Sequence, residues 1–427
     1  MTVDDHSVRS PHPYHPLDLS ASDFWDLDFA KRDETFARLR AEPGLSWHRP
    51  MSSIFPSEET GYWAVTRHAD IKYASQHNEL FGSRFGISID YVPAEVQQIS
   101  TFFLAMDPPD QSRYRRLISS VFTPRQVRLI EDQIRANAAE IVDGLLEKLH
   151  SGEELDFVTE CSAKLPMRTV SDMIGIDPAD REAVAYAAEA LFGGTDAEYA
   201  NIEEIATHTF TQLTFLNTTG TELAKRRRAE PADDLMTRLV NAEVDGESLT
   251  DTDIGSFMVL LASAGNDTTK QTTSHGFKAL IEQPEQMAWL LEDFDNRIDA
   301  AVDELVRWSN PVVAFARTAL EDTELGGQQI TKGEKVALFY CSGNRDETVF
   351  DRPKEFDITR THNPHVGFGG GGAHFCLGAQ VAKMQLRHLF HQLLTRLPPV
   401  QLGEPKYLHS NLIHGIKHMS VRLAERP

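Results

Sequence analysis

Apolar residues recur at helical spacing along most of this chain. From Thr123-Pro124 onward, Val127, Ile130, Ile134, Ala138, Ile141 and Leu145 fall three or four residues apart, which predicts a long amphipathic helix. Similar patterns predict helices near 172–190, 198–228, 251–282 and 296–309, and a last one from Cys376 to about Leu397. Strand signals are short: Gly61 to Thr66, then pieces at 312–319, 334–340 and near 418–423. Residues 82–104 mix Gly, Ser and Pro with isolated apolar groups and predict a long irregular segment. Such loops are often functional lids or plain surface connections. Residues 1–20 are polar and proline-rich and predict a loose leader. No repeat, low-complexity linker or composition break divides 21–427, which predicts one large domain, mainly α with a minor β part.

Composition narrows the function classes. The chain has 427 residues with 42 Lys+Arg against 64 Asp+Glu, a net charge of −22, which argues against nucleic acid as the main partner. Three cysteines, Cys161, Cys341 and Cys376, are too few and too odd for a disulfide framework and favour a reducing interior. The N-terminal stretch lacks a signal peptide's apolar core, and no apolar run spans a bilayer, so a cytoplasmic protein is expected.

The densest chemistry lies between Pro364 and Gly378 (PHVGFGGGGAHFCLG). Four consecutive glycines, Gly369 to Gly372, free the backbone and let the main chain approach a flat, bulky ligand. Cys376 and Gly378 follow, then a helical pattern, so a thiolate here would sit near a helix N-terminus. A phosphate cradle is a competing reading, but no Lys-Ser/Thr follows. Zinc held by His362, His365, His374 and Cys376 is another, with a spacing that matches no common zinc pattern. A flexible loop with a buried cysteine is the third.

A second anomaly is Ala264-Gly-Asn-Asp-Thr-Thr269, set within an apolar helical pattern with Ile254, Phe257, Met258 and Leu261. Polar groups in such a helix are costly unless paired or functional. Gly265 weakens the helix locally, and threonine hydroxyls bond the preceding turn.

Together these stretches resemble the haem-thiolate monooxygenases, the cytochromes P450. The resemblance implies the cytochrome P450 fold, with haem b (iron protoporphyrin IX) between the long central helix and the cysteine loop. It implies Cys376 as the iron ligand, and Phe368, Gly369, Gly378, Ala264 and Gly265 beside the cofactor. The family's phenylalanine stands seven residues before the cysteine, whereas Phe368 stands eight before Cys376 and Gly369 holds the usual place. Asp267 and Thr268 match the acid–alcohol pair that manages protons, which argues against a haem-based binding or sensing protein. Glu304 and Arg307 match a buried structural pair. Arg317, Arg115 and His374 match propionate contacts, and Gln111 replaces the usual histidine, an exchange expected to weaken the hold on one propionate. Phe350 to Phe356 resembles the aromatic-rich segment before the haem loop.

The glycine run and Leu412 to Lys417 are similar to the actinobacterial branch that oxidises sterol side chains and methyl-branched lipids. This implies terminal hydroxylation and an apolar tunnel, with lining candidates Ile87, Ile89, Phe102, Phe103, Val259, Ala262, Val313, Phe315 and Ile413. A smaller apolar substrate, a terpenoid or secondary metabolite, is the alternative. The implied partners are O2, the lipid, and a ferredoxin with its reductase as electron donors to a monomer. Arg113, Arg116, Arg125, Arg128, Lys383 and Arg387 are the candidate docking cations.

Overall fold

The computed structural model describes residues 10–120, 124–192 and 205–424. Nine helices carry the argument: α1 (His68–Gln76), α2 (Asp110–Ser120), α3 (Pro124–His150), α4 (Lys164–Ile174), α5 (Arg181–Phe192), α6 (Ile205–Ala229), α7 (Asp251–Glu282), α8 (Phe294–Ser309) and α9 (Ala379–Arg396). The period-3.6 readings hold for α3, α7, α8 and α9. Residues 198–204 of the expected 198–228 helix and Thr123 lie outside the described residues.

The expected helix at 172–190 is in fact two. Gly175 ends α4 in a left-handed conformation (φ 88°), and Pro178 follows in a short 3-10 turn. A residue with a Cβ is strained at that φ, so the glycine ends the helix where periodicity alone continues it.

α7 starts at a capping box, in which the Thr250 hydroxyl accepts from the Asp253 N–H and the Asp253 carboxylate accepts from the Thr250 N–H. It is buried on nearly every side because α4, α5, α6, α8 and α9 all pack on it. That environment explains its lack of a clear polar face.

Five short strands form one sheet: β1 (Ser46–His48), β2 (Tyr62–Val65), β3 (Phe81–Gly82), β4 (Ala314–Ala319) and β5 (Lys335–Phe339), in the order β1-β2-β5-β4-β3. Alternation sends Tyr62, Ala64, Ala337 and Phe339 to one core cluster and Trp63, Val65, Val336 and Leu338 to another. A third, larger cluster lies among the helices. Among the described residues no helix is long and apolar enough to cross a membrane.

Two further expectations are corrected. Of the leader, residues 1–9 lie outside the described set, but 10–20 are not loose. Leu19 is fully buried. The His12 ring lies 5.0 Å from Trp47 and 4.7 Å from Trp63, and its Nε2 is 2.5 Å from Glu334 Oε1. The 82–104 segment is not irregular throughout. It contains a helix at Ala94–Ser100 and a 3-10 turn at Phe102–Ala105. Its remainder is tied to the sheet by Ala316 N–H to Ile87 O (2.7 Å) and Lys335 Nζ to Ile89 O (2.9 Å). These contacts are long-range, so local sequence does not announce them.

Candidate functional site

The glycine loop has two sides. On one it packs against α1: a Cβ on Gly370 would lie 2.5 Å from Ser75 Oγ, and one on Gly372 would lie 2.3 Å from Ser75 O. On the other it is open, since a Cβ on Gly378 meets nothing within 4 Å and one on Gly369 nothing nearer than 3.8 Å. Cys376 lies between Gly369 and Gly378 in the chain and is an exposed residue. Burial is nonetheless the largest influence on that thiol and raises its pKa, opposed by the Gly378 and Ala379 N–H groups and the Arg115 charge. The residue therefore keeps exposed surface while its thiol is closely surrounded by protein.

Beside it, Arg115, Arg317 and His374 converge. The Arg317 guanidinium is buried, donates from Nη1 to Ala316 O (2.7 Å), and leaves Nε without a partner. Among the described residues neither Arg115 nor Arg317 is ion-paired; Asp107 reaches Arg317 only through its longer-range field. Burial pushes His374 down to about 3, and the two arginine charges add to that. His374 Nε2 lies 3.2 Å from Ser83 Oγ. Buried cations without carboxylates are costly unless an anion joins them. A partly exposed cysteine, a glycine cradle and two uncompensated guanidiniums fit a haem, with the carboxylates of its propionates matching the guanidiniums.

Gln111 is corrected. Its Nε2 donates to Ala373 O (2.7 Å), so the amide holds the cysteine loop's backbone, and Arg115 Nη1 bonds the same oxygen at 3.2 Å. Zinc finds no set of ligands: among the described residues no three His, Cys, Asp or Glu side chains gather to hold a metal.

Glu304 and Arg307 are both 0% exposed and joined by two 2.7 Å bonds. Arg307 also donates to the carbonyls of Asn344, Pro353 and Glu355. The Asn344 side chain accepts from Val366 N–H at 2.7 Å, which carries the pair's order into the cysteine loop.

Along the middle of α7, Leu261, Ala264, Gly265 and Thr268 are partly accessible while their neighbours are buried. At spacing i, i+3, i+4, i+7 they form one face. The Thr268 hydroxyl donates to Ala264 O at 2.9 Å. Val259 does not belong there. It lies about 160° round the helix from Leu261 and is 0% exposed in the helical core. Ala262, about 100° from Leu261, is also packed. Phe257, about 40° from Leu261, is packed in the same core, with its ring 6.5 Å from that of Phe103.

The other lining candidates are not gathered into one set. Phe102 and Phe103 join the helical core, Ile89 and Val313 join the sheet cluster of Tyr62 and Phe339, and Phe315 packs against the sheet cluster of Trp63 and Leu338. Ile413 bridges Val312, and Ile87 contacts the edge of β4 through its carbonyl. Asp267 is buried, with Oδ1 2.5 Å from Lys270 Nζ, which lies 2.9 Å from Glu189 Oε1 on α5. Lys270 and Glu189 were missed, although a lysine three residues after Asp267 in an apolar pattern was a visible signal.

A helical body, a minor sheet and a thiol loop beside cationic anchors define the class of haem-thiolate proteins. The family model for cytochrome P450 matches residues 212–401. The methyl-branched lipid omega-hydroxylase of Mycobacterium tuberculosis (strain ATCC 25618 / H37Rv) is 39% identical over 412 residues, 96% of this chain and 95% of that one. The steroid C26-monooxygenase of Mycolicibacterium smegmatis is 37% identical, covering 91% of this chain and 90% of that protein. The solved Mycobacterium marinum cytochrome P450 CYP268A2 in complex with pseudoionone is 51% identical, with a TM-score of 0.92 over 97% of this chain and 100% of that one. The chain belongs to the cytochrome P450 family and is an oxygen-incorporating oxidoreductase.

Proposed function

We propose that the protein hydroxylates a terminal methyl carbon of an apolar lipid, either a methyl-branched or isoprenoid chain or a sterol side chain. The observation that carries this reading is the accessible stripe of α7: Leu261, Ala264 and Gly265 apolar, with Thr268 its one hydroxyl. A surface of that kind binds by burial and excludes polar groups. The omega-hydroxylase and C26-monooxygenase relatives point the same way.

Cys376 is the residue to ligate haem b, and Arg115, Arg317 and His374 the residues to hold its propionates. Bound haem would supply dioxygen activation, a chemistry that a cysteine thiolate ligand suits. The Thr268 hydroxyl, whose own proton goes to Ala264 O, accepts on the stripe and holds the hydrogen-bond network there, and Asp267 passes protons inward from its buried position. Electrons come from a ferredoxin and its reductase to a monomer in the cytoplasm.

A second reading has its own support: the relative solved with pseudoionone suggests a smaller apolar ketone as substrate. Optical titration of the ferric holoprotein with a methyl-branched fatty acid, a sterol ketone and pseudoionone separates them. A saturable high-spin shift with either of the first two supports the lipid reading. A shift with pseudoionone alone selects the second, and no shift with any of the three overturns both.

A further inference from the structure

The open face of α7 stops abruptly. Leu261, Ala264, Gly265 and Thr268 are partly accessible, but Gln271, Thr272 and His275 are buried, although they continue the same face at i+3, i+4 and i+7 from Thr268. The turn at 408–415, between the paired strands Lys406–Tyr407 and Ile416–His418, covers Gln271 and His275. Gln271 Oε1 accepts from the Ile416 N–H at 2.7 Å. His275 Nε2 donates to His414 O at 3.2 Å, and His414 Nδ1 donates to Ser309 O at 2.7 Å. The Ser309 hydroxyl donates to Thr272 Oγ1 (3.3 Å), which donates to Thr268 O (3.0 Å). The turn sits close on the helix, since a Cβ on Gly415 would lie 3.1 Å from Gln271 Nε2.

The same turn is tied to the segment that leads into β4 and Arg317. Val313 N–H donates to Leu412 O and His414 N–H to Pro311 O, both at 2.8 Å, and Ile413 bridges Val312. Its own hairpin is short and shifts register between Lys406 and Tyr407. The side chains of α7 and the bonds to 311–313 therefore set where the turn stands. It closes the open face one helical turn past Thr268.

We propose that Gln271, with His275, is a positioning residue that fixes this stop relative to Thr268 and thereby selects which carbon of a chain is oxidised. The inference rests on the terminal-hydroxylation reading and deepens it. A methyl-branched chain end carries a tertiary C–H beside its terminal methyls, and that bond is weaker than their primary C–H bonds. Reactivity alone favours the branch carbon, so oxidation at the end needs an enclosure that holds the end in one place. A stop bonded to the helix that carries Thr268 does this, because wall and reacting face keep one spacing.

Amide hydrogen exchange and product analysis of the holoenzyme test this. The probes are a fatty acid branched at its penultimate carbon and pseudoionone. Gln271→Met keeps the volume and removes the acceptor. The Ile416 amide then loses about two- to tenfold of its exchange protection, the scale of one hydrogen bond. The ratio of terminal alcohol to all other products falls by a similar factor. Gln271→Glu keeps the accepting oxygen and restores both readouts. Gly415→Ala leaves Gln271 in place, pushes the turn off α7 and lowers the same ratio.

Undiminished protection of Ile416 in Gln271→Met overturns the anchor. Lost protection with an unchanged product ratio overturns its role in selecting the carbon. If Gln271→Met does not fold, an unchanged ratio in Gly415→Ala overturns the proposal instead. Wild type that oxidises mainly the branch carbon overturns the terminal-hydroxylation reading and the carbon selection built on it, while the exchange result still reads the anchor. Turnover of pseudoionone alone overturns the lipid reading, and the ratio of its products then decides the proposal.

Discussion

The backbone N–H of Cys376 donates to the carbonyl of Phe368 across 3.0 Å. This bond closes the thiol loop on itself and fixes the sulfur relative to the Phe368 ring, which packs on the helical core. It also accounts for the extra residue between them. Gly371 and Gly372 take up the added length at φ 97° and 72°, a region closed to most side chains.

Gly372→Ala should therefore be severe. Its new Cβ would lie 2.3 Å from Ser75 O, at a positive φ. Backbone strain alone costs roughly 1–3 kcal/mol, and the clash adds to it. Loss of haem retention with a lowered melting temperature is expected. A variant as stable and as fully loaded as wild type would refute the packing of the loop on α1.

Removing one member of the Glu304–Arg307 pair leaves a fully buried charge. Glu304→Ala should cost about 3–5 kcal/mol, read from denaturant unfolding midpoints. Arg360 and Asn363 also donate to Glu304, so their bonds are lost with it. A loss under about 1 kcal/mol, the scale of a surface pair, would show that the pair is solvated in solution.

Acid should destabilise the fold through its histidines. Burial holds His48 and His275 at about 3, against an ordinary 6.5. Between those values the unfolded chain binds protons that the folded one refuses. Stability is full above 6.5 and declines as pH falls towards 3, by about 1.4 kcal/mol per unit for each histidine. His275→Phe should flatten the slope of unfolding free energy against pH by one histidine's share. An unaltered slope would contradict the burial of that ring.

Arg317→Leu should loosen haem without unfolding the chain, because its guanidinium makes one bond to its own strand and leaves Nε unpartnered. Loss of a charged hydrogen bond of 1.5–3 kcal/mol corresponds to roughly ten- to a hundredfold faster haem transfer to an acceptor protein. Unchanged transfer would remove Arg317 from the propionate anchors.

Electron donation should depend most on Arg125 and Arg128, which are exposed on α3. Arg113 pairs with Glu247, Arg116 with Asp245, Lys383 with Asp303, and Arg387 with Asp295 and Asp299. Arg125→Glu with Arg128→Glu should slow reduction by an acidic ferredoxin about tenfold at low salt, a difference that shrinks as salt rises. Equal rates across a salt series would place the docking face elsewhere.

Sequence alone determined the elements whose cause is local. The period of α3, α7 and α8 was readable because each buries a continuous apolar face. The cysteine loop was readable because glycines, a thiol and a following helix sit together in the chain. The charged pair of α8 and the polar break in α7 were visible for the same reason. Tertiary structure decided the rest. Val259 and Leu261 look alike as apolar residues of one helix, and only the packing of neighbouring helices shows which one is covered. Gln111 reads as a propionate ligand until the loop folds back and presents Ala373 O to it. Leu19 reads as part of a loose leader until the sheet forms beneath it. Lys270 acquires its second carboxylate from Glu189, 81 residues earlier in the chain. Burial and pairing across such distances follow from how helices pack, and no window along the sequence contains both partners.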